Sequence, residues 1–285
     1  MTKLLLMLMM VSVWSGCGKE IEVVKEGNIE YEVYRDETNN KPIKHGYYKE
    51  YHPDKTYKVV GNFIEGKYDG KWVEYDENGK VRGEGNYKDG NGKWVEYYES
   101  GKVEREVNFI DNKMEGKEVW YYENGQVSEE VNYKDGKEDG KWVYYYENGQ
   151  VNSEGNHKDG EKDGKWVWYL ENGKKREEGN YKDGKEDGKW VSYDENGQVK
   201  EEINYKDGKQ ENHKTYDYYE NGQVMMEGNL KDGELDGKWV YYYENGVIEK
   251  EGNLKDGELD GKWVYYYEDG KVRLEVNYKD GVRID

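Results

Sequence analysis

Residues 139–160 read DGKWVYYYENGQVNSEGNHKDG, and the architecture of the whole chain follows from this stretch. Positions 142–146 form a run of β-branched and aromatic residues, which is typical of a strand. Asn148-Gly149 follows and predicts a type I′ turn, because both residue types adopt positive φ readily. The next residues read as a return strand, and Lys158-Asp159-Gly160 then predicts a second, longer turn that ends at Gly164. The stretch therefore predicts one antiparallel β-hairpin.

The same pattern recurs along the chain with a period of 24 residues, apart from one step of 22 and one of 25. The glycine before each Lys-Trp pair marks the clear copies, and degenerate copies align at Gly46, Gly116 and His213. We therefore predict an all-β protein of about ten consecutive antiparallel hairpins that form an extended twisted sheet, with essentially no helix. The marker glycines of the clear copies are Gly70, Gly92, Gly140, Gly164, Gly188, Gly237 and Gly261.

Two-residue alternation assigns the side chains to two faces of the sheet. We predict that one face carries the valine and the second tyrosine of each first strand, such as Val73 and Tyr75, together with Gly85 and Tyr87 from the return strand. The opposite face carries a tryptophan in most repeats and, beside it, a position that varies between copies. The variable positions are Glu74, Glu96, Trp120, Tyr144, Trp168, Ser192, Asp217, Tyr241 and Tyr265.

Composition separates this chain from ordinary globular proteins and from disordered chains. Only 34% of its 285 residues are hydrophobic, 38% are charged, and the mean hydropathy is -1.32. The 31 tyrosines and 10 tryptophans nevertheless supply more aromatic surface than disordered chains carry. A formal net charge of -19 disfavours nucleic acid and anionic lipid surfaces as partners. Cationic proteins, divalent cations and neutral glycans remain compatible with this charge.

The first residues have the pattern of an export signal. An apolar run over 4–14 follows Lys3 and is too short to span a bilayer as a helix, but it suits a secretory signal. Small residues then precede Cys17 in an arrangement that resembles the bacterial lipobox. Because Cys17 is the only cysteine, an internal disulfide is excluded, and lipidation explains its position. We therefore predict that Cys17 carries a lipid.

These features define the predicted domains and the location. We predict a signal peptide over 1–16, a lead-in over 17–45 and the repeat domain over 46–285. The protein would be anchored in the bacterial cell envelope, with the lipid as its only contact with the membrane. Gly18 in place of aspartate resembles the pattern directed to the outer membrane in cells that have two membranes. A plain secretory signal followed by an unmodified cysteine is the alternative.

No motif predicts catalysis or a cofactor. The recurring carboxylates, such as Asp159 and Asp163, lie in predicted turns where they are solvated, whereas a catalytic pair needs a carboxylate whose pKa is shifted by burial. We therefore predict that the protein is not an enzyme and has no cofactor. Calcium binding by the Asp-Gly turns stays open, although their spacing matches no EF-hand loop. The four histidines lack the spacing of a zinc site; they are His45, His52, His157 and His213.

The unit GKWxxYYENGQVxxEGNYKDGKxDG resembles the MORN-repeat superfamily, and most of all the bacterial MORN-variant repeat of the YwqK-type proteins. The resemblance covers 46–285. It implies consecutive β-hairpins and a non-enzymatic role in interactions. Some bacterial relatives are labelled antitoxin or immunity components, which implies that they bind a partner protein.

The variable aromatic positions lead to a hypothesis about function. Tryptophan and tyrosine are common anchors of protein interfaces, so we expect the chain to be an envelope lipoprotein that binds a partner protein. Carbohydrate or cell-wall binding is the alternative, because aromatic rows also stack on sugars. The residues predicted to contact the partner are Trp120, Tyr144, Trp168, Tyr241 and Tyr265.

Overall fold

A computed structural model describes residues 13–14 and 20–284 of the chain. These residues form strands and turns without any helix, so the predicted all-β class is confirmed. Cys17 and most of the predicted signal peptide lie outside the described residues. No helix that is long and apolar enough to cross a membrane occurs in the described part. The chain divides into two compact units, Met1–Gly149 and Gln150–Asp285, called the first and the second unit below.

In the first unit, consecutive strands pair antiparallel with their neighbours in chain order. Pairing begins before Gly46, because β2 and β3 form a hairpin in the predicted lead-in and β3 pairs with β4. The strands are β1 (Val13–Trp14), β2 (Glu20–Glu26), β3 (Ile29–Arg35), β4 (Pro42–Tyr51), β5 (Tyr57–Ile64), β6 (Lys67–Tyr75), β7 (Val81–Lys88), β8 (Asn91–Tyr97), β9 (Val103–Ile110), β10 (Lys113–Met114), β11 (Gly116–Tyr121), β12 (Val127–Lys134) and β13 (Lys137–Tyr145).

The second unit repeats this arrangement of antiparallel neighbours. Its strands are β14 (Val151–Lys158), β15 (Glu161–Tyr169), β16 (Lys175–Lys182), β17 (Lys185–Glu186), β18 (Gly188–Tyr193), β19 (Val199–Lys206), β20 (Lys209–Tyr218), β21 (Val224–Lys231), β22 (Glu234–Tyr242), β23 (Ile248–Lys255), β24 (Glu258–Tyr266), β25 (Val272–Lys279) and β26 (Val282–Arg283).

The two kinds of turn are the reverse of the prediction. Asp159 and Gly160 both have positive φ, at 53° and 92°, and they join Lys158 directly to Glu161. This is the two-residue type I′ geometry, so the longer turn predicted to end at Gly164 was wrong. Strand β15 runs through Gly164 instead.

The Asn-Gly turns are three-residue loops instead of type I′ turns. In the turn after β11, only Gly125 has positive φ, and its N–H donates to the carbonyl oxygen of Tyr122 at 2.8 Å. The pattern is that of a type I turn followed by a left-handed glycine. Asn124 keeps an ordinary φ because its Oδ1 accepts a hydrogen bond from the N–H of Gln126 at 2.8 Å.

A β-bulge beside the Asn-Gly turn of most repeats also changes the predicted faces. In the pair β6–β7, the register shifts between Glu74 and Tyr75, so that Trp72 lies opposite Gly85 and Gly70 opposite Tyr87. Directly opposed residues share a face, so Gly85 and Tyr87 belong with the tryptophan, and their assignment to the valine face was wrong. The inserted residue reverses the alternation that simple counting assumes.

We call the face that bears the tryptophans and the variable positions the tryptophan face, and the opposite one the valine face. On the valine face, a glutamate of most return strands joins two repeats. Glu84 accepts from Lys71 Nζ of its own hairpin at 2.8 Å and from Tyr97 Oη of the next strand at 3.2 Å. The same double contact recurs at Glu106, Glu130, Glu178, Glu227 and Glu251. This polar lattice covers valines that are themselves buried, such as Val73 and Val143.

Candidate binding site on the tryptophan face

Five tryptophans fill the same place in the repeat. The indole of Trp239, which is 1% exposed, lies over Gly228 of the preceding strand, and its Nε1 donates to the carbonyl oxygen of Asn229 at 3.1 Å. A Cβ at Gly228 would overlap with this ring, so the glycine is required by the close approach. The same contact is made by Trp72, Trp166, Trp190 and Trp263 over Gly61, Gly155, Gly179 and Gly252. These tryptophans hold successive strands together.

Repeats in which this glycine is replaced show the other half of the rule. Ile203 lies opposite His213, in a repeat without a tryptophan. Val131 lies opposite Trp142, but that indole stacks on Tyr144 instead, with ring centroids 5.5 Å apart. A β-branched residue on the preceding strand therefore goes with a missing or a displaced tryptophan. The sequence itself contains this relation. The residue that takes the place of glycine in the Glu-Gly-Asn triplet of one copy could have been compared with the presence of tryptophan in the next copy.

The structure places the two predicted contact residues of the first unit on the tryptophan face, half-buried. Trp120 lies beneath the guanidinium of Arg105, whose Cζ is 4.9 Å from the ring centroid. Trp120 and Tyr144 both lie opposite Glu129, one on each neighbouring strand, so they form one patch. Burial raises the pKa of Glu129, and hydrogen bonds from Trp142 and Tyr144 oppose this rise.

The three predicted residues of the second unit are half-buried as well. Trp168 packs between Trp166 and Trp190, at centroid distances of 5.9 and 5.4 Å. Tyr241 and Tyr265 pack against one aromatic cluster that includes Trp239. All five predicted residues thus contribute to packing, and a role in binding stays a prediction.

The sequence analysis did not predict a cavity of about 340 Å³ that lies in the first unit. Its aromatic wall includes Tyr48, Trp72 and Trp94, and its polar wall includes Glu50, Glu74 and Glu96. Gly83 lies opposite two of the lining residues, Glu74 and Glu96, and its missing side chain leaves room for Trp94: a Cβ there would lie 2.5 Å from Cζ2 of that ring. Gly83 is the only glycine in a column that otherwise holds Val59, Arg105, Glu129, Ser153, Glu177, Glu201, Met226, Lys250 and Leu274.

The charges around this cavity are unevenly compensated. Arg105 Nη1 contacts Glu96 at 2.9 Å, and Arg105 Nε contacts the buried Glu118 at 2.5 Å. Burial lowers the pKa of Arg105, but the two carboxylates outweigh it and raise the pKa. Glu50 is paired with Lys58 at 2.9 Å. For Glu74, burial and the neighbouring Glu96 raise the pKa of the carboxyl.

Among the described residues, no group of three or more His, Cys, Asp or Glu side chains is placed to hold a metal ion. His157 packs edge-on against Trp166 with ring centroids 5.3 Å apart, and burial followed by the charge of Lys162 lowers its pKa to about 4. This histidine therefore stays neutral at physiological pH.

Comparison with known proteins identifies the repeat. A family model described as MORN repeat variant matches nine segments, which together cover more than half of the chain. The segments are 68–89, 91–111, 114–135, 138–159, 162–183, 186–207, 214–232, 235–256 and 259–280. No curated protein matches the chain.

Several solved structures are distantly similar. A crystal structure of TcdB2-TccC3-Cdc42 matches with 12% identity and a TM-score of 0.22 over 94% of this chain and 16% of that chain. A Photorhabdus luminescens Tc holotoxin pore matches with 12% identity and a TM-score of 0.18 over 87% of this chain and 17% of that chain. A crystal structure of TcdB2-TccC3 matches with 10% identity and a TM-score of 0.19, over 95% and 20%. This chain thus spans a fifth or less of each.

Proposed function

We propose that this chain, which belongs to the MORN repeat variant family, is a non-enzymatic scaffold that binds a partner protein through its tryptophan face. The observation that carries the proposal is the contrast between two columns on that face. The tryptophan column holds the same residue in most repeats and is mostly buried, whereas the neighbouring column varies in chemistry and is half-buried, apart from the exposed Asp217. A uniform scaffold with a variable, accessible aromatic column suits recognition of a specific surface.

The net charge of -19 narrows the choice of partner. Complementary charge accelerates association and excludes unsuitable partners, so a protein with a basic surface fits best. A YwqK-type antitoxin or immunity role, in which the partner is a toxin, is the specific form of this proposal suggested by the resemblance. Binding of a glycan or of the cell wall is the competing outcome.

The test is affinity capture from envelope extracts of the source cells, with the purified chain as bait. We expect one stoichiometric protein partner. Capture should be lost when Trp120, Tyr144, Trp168, Tyr241 and Tyr265 are replaced together by leucine, which retains apolar bulk. The matched control replaces five tyrosines of the valine face by phenylalanine and should retain capture; these are Tyr121, Tyr145, Tyr169, Tyr242 and Tyr266.

Two results would contradict the proposal. Capture that survives the leucine substitutions, while circular dichroism confirms the β-sheet, would move the contact to the turns or to the valine face. Enrichment of glycan or of peptidoglycan without any protein would establish the alternative function.

We further propose that the protein is held in the cell envelope by a lipid on Cys17. The proposal is supported by the apolar run 4–14 and the small residues before this cysteine. Intact-mass analysis of protein purified from membranes should give a chain that begins at Cys17 with added acyl mass. A Cys17→Ala variant should move to the soluble fraction, and an unmodified Cys17 in the native protein would refute the anchor.

A further inference from the structure

Two neighbouring repeats of the first unit differ at one position in a way that points to a ligand. In the pair β8–β9, Glu96 lies directly opposite Arg105. The guanidinium of Arg105 bonds to Glu96 and Glu118 and lies over the ring of Trp120, so that two carboxylates and an indole enclose one planar cation.

One repeat earlier, the carboxylate is present and the cation is missing. In the pair β6–β7, Glu74 lies directly opposite Gly83, which has no side chain. The ring of Trp94 covers Gly83, and Glu74 lines the 340 Å³ cavity together with the rings of Trp72 and Trp94, without a cation on the opposite strand.

Glu74 has no internal substitute for that cation. Among the described residues, its carboxylate makes no hydrogen bond or ion pair. The cations whose charge acts on it, Lys58 and Arg82, are bonded to Glu50 at 2.9 Å and to Glu104 at 3.4 Å. Partial burial deprives this carboxylate of part of its hydration, so a cationic ligand that bonds to it would offset that cost.

We infer that this cavity binds the guanidinium group of an arginine side chain of the partner protein, with Glu74 as its acceptor and the indoles as its stacking surface. The inference rests on the proposed function, since it names the chemistry of the partner. A guanidinium is planar, offers parallel N–H donors to a carboxylate and stacks on aromatic rings. The cavity walls carry three carboxylates and two cations, which leaves a negative balance. The aromatic wall already accepts one cation, since Lys44 Nζ lies 5.1 Å from the Tyr48 ring and 5.0 Å from the Phe63 ring.

The direct test is calorimetric titration of the full chain with Nα-acetyl-arginine amide. Nα-acetyl-citrulline amide, which has the same shape without the charge, is the matched ligand control. We expect saturable binding of one arginine derivative, weakened by roughly tenfold or more with citrulline or in Glu74→Gln, since both changes remove a charge-assisted hydrogen bond. Asp217→Asn removes a carboxylate from the same repeat position, where it is exposed, and should leave binding unchanged.

A second variant tests the internal comparison. A Cβ at position 83 would lie 2.5 Å from the ring of Trp94, so Gly83→Arg should displace this stacking ring and supply an internal cation opposite Glu74. Both effects should abolish binding of the arginine derivative while Glu74 stays intact. Equal binding of arginine and citrulline derivatives, or binding that Glu74→Gln leaves unaltered, would overturn the inference. Partner capture that persists in Glu74→Gln, without arginine binding by the native chain, would remove this inference and leave the scaffold proposal standing. Loss of capture in the leucine variant alone bears only on the scaffold.

Discussion

Replacing Gly228 by valine should displace the tryptophan that packs over it, at a cost that the contacts define. Trp239 is 1% exposed and lies directly opposite Gly228, and its Nε1 bonds to the carbonyl oxygen of Asn229 at 3.1 Å. A valine removes that hydrogen bond, which is worth about 1 kcal/mol, and forces a packed ring aside, which costs about 1–3 kcal/mol. We therefore expect the free energy of unfolding to fall by about 2–4 kcal/mol.

A double-mutant cycle checks this reasoning. Trp239→Leu alone should cost about 2–4 kcal/mol, through lost burial and an emptied space. Once the ring is smaller the valine has room, so Gly228→Val and Trp239→Leu together should cost about 1–3 kcal/mol less than the sum. Urea unfolding of the four proteins, followed by far-ultraviolet circular dichroism, measures these differences.

Ile203→Val is the matched control, because this β-branched residue already faces a repeat without a tryptophan. It should cost only about 0.5–1.5 kcal/mol. Strictly additive costs, or a Gly228→Val variant as stable as the native chain, would show that the tryptophan and the glycine do not depend on each other.

Further predictions concern single groups. Burial raises the pKa of Glu178, but hydrogen bonds from Lys175, Lys165 and Tyr193 outweigh it and bring the pKa from 4.5 to about 2. The contribution of Glu178 to the free energy of unfolding is therefore complete above pH 4.5 and is lost as the pH falls towards 2. Glu178→Gln should therefore lower the free energy of unfolding by about 1–2 kcal/mol at pH 7 and by little near pH 2. The control Glu275→Gln removes only an exposed ion pair with Lys262 and should cost under about 1 kcal/mol. Urea unfolding measures both. The pKa of His157 is about 4 in the folded chain, against an ordinary value of 6.5, so the unfolded chain binds this proton first as the pH falls. The free energy of unfolding should therefore fall by at most about 3 kcal/mol between pH 6.5 and 4. His157→Tyr should remove this decrease from the curve of stability against pH, and an unchanged curve would refute the prediction. Asp256 has a φ of 50°, so Asp256→Val should lower the thermal midpoint through a strain of about 1–2 kcal/mol, while Asp256→Asn should not, and equal midpoints would contradict the turn assignment.

The repeat pattern was sufficient to predict the hairpins, because most copies carry the same kinds of strand and turn residues at the same spacing. The phase within each hairpin was not predictable by counting, because the bulge at Glu74 and Tyr75 inserts a residue that leaves no mark in the composition. The turn types were exchanged for a related reason. Asn-Gly and Asp-Gly both suit a type I′ turn, and the difference lies in which side chain bonds to the backbone, as Asn124 does to Gln126.

The candidate site was predictable only in part. The variable column was recognisable in the sequence because Trp120, Tyr144 and Trp168 differ between copies whose neighbouring positions are the same. The cavity was not, because Gly83 resembles one more glycine in a chain that has 37 of them. The importance of Gly83 depends on the residue directly opposite it, Glu74. Such cross-strand partners follow from the register of the strands and not from the order of residues along the chain.

The dependence of each buried tryptophan on a glycine of the preceding return strand also bears on how such arrays change in length. Unequal exchange between copies that cuts at an Asn-Gly turn keeps a glycine and the tryptophan above it on the same inherited segment. A cut at an Asp-Gly turn separates them, and it can bring Ile203 beneath an indole that has no room for it. The segment that can be duplicated or lost without separating a tryptophan from its glycine is therefore a return strand together with the strand that follows it. This segment is shifted by half a repeat from the hairpin that an Asn-Gly turn closes.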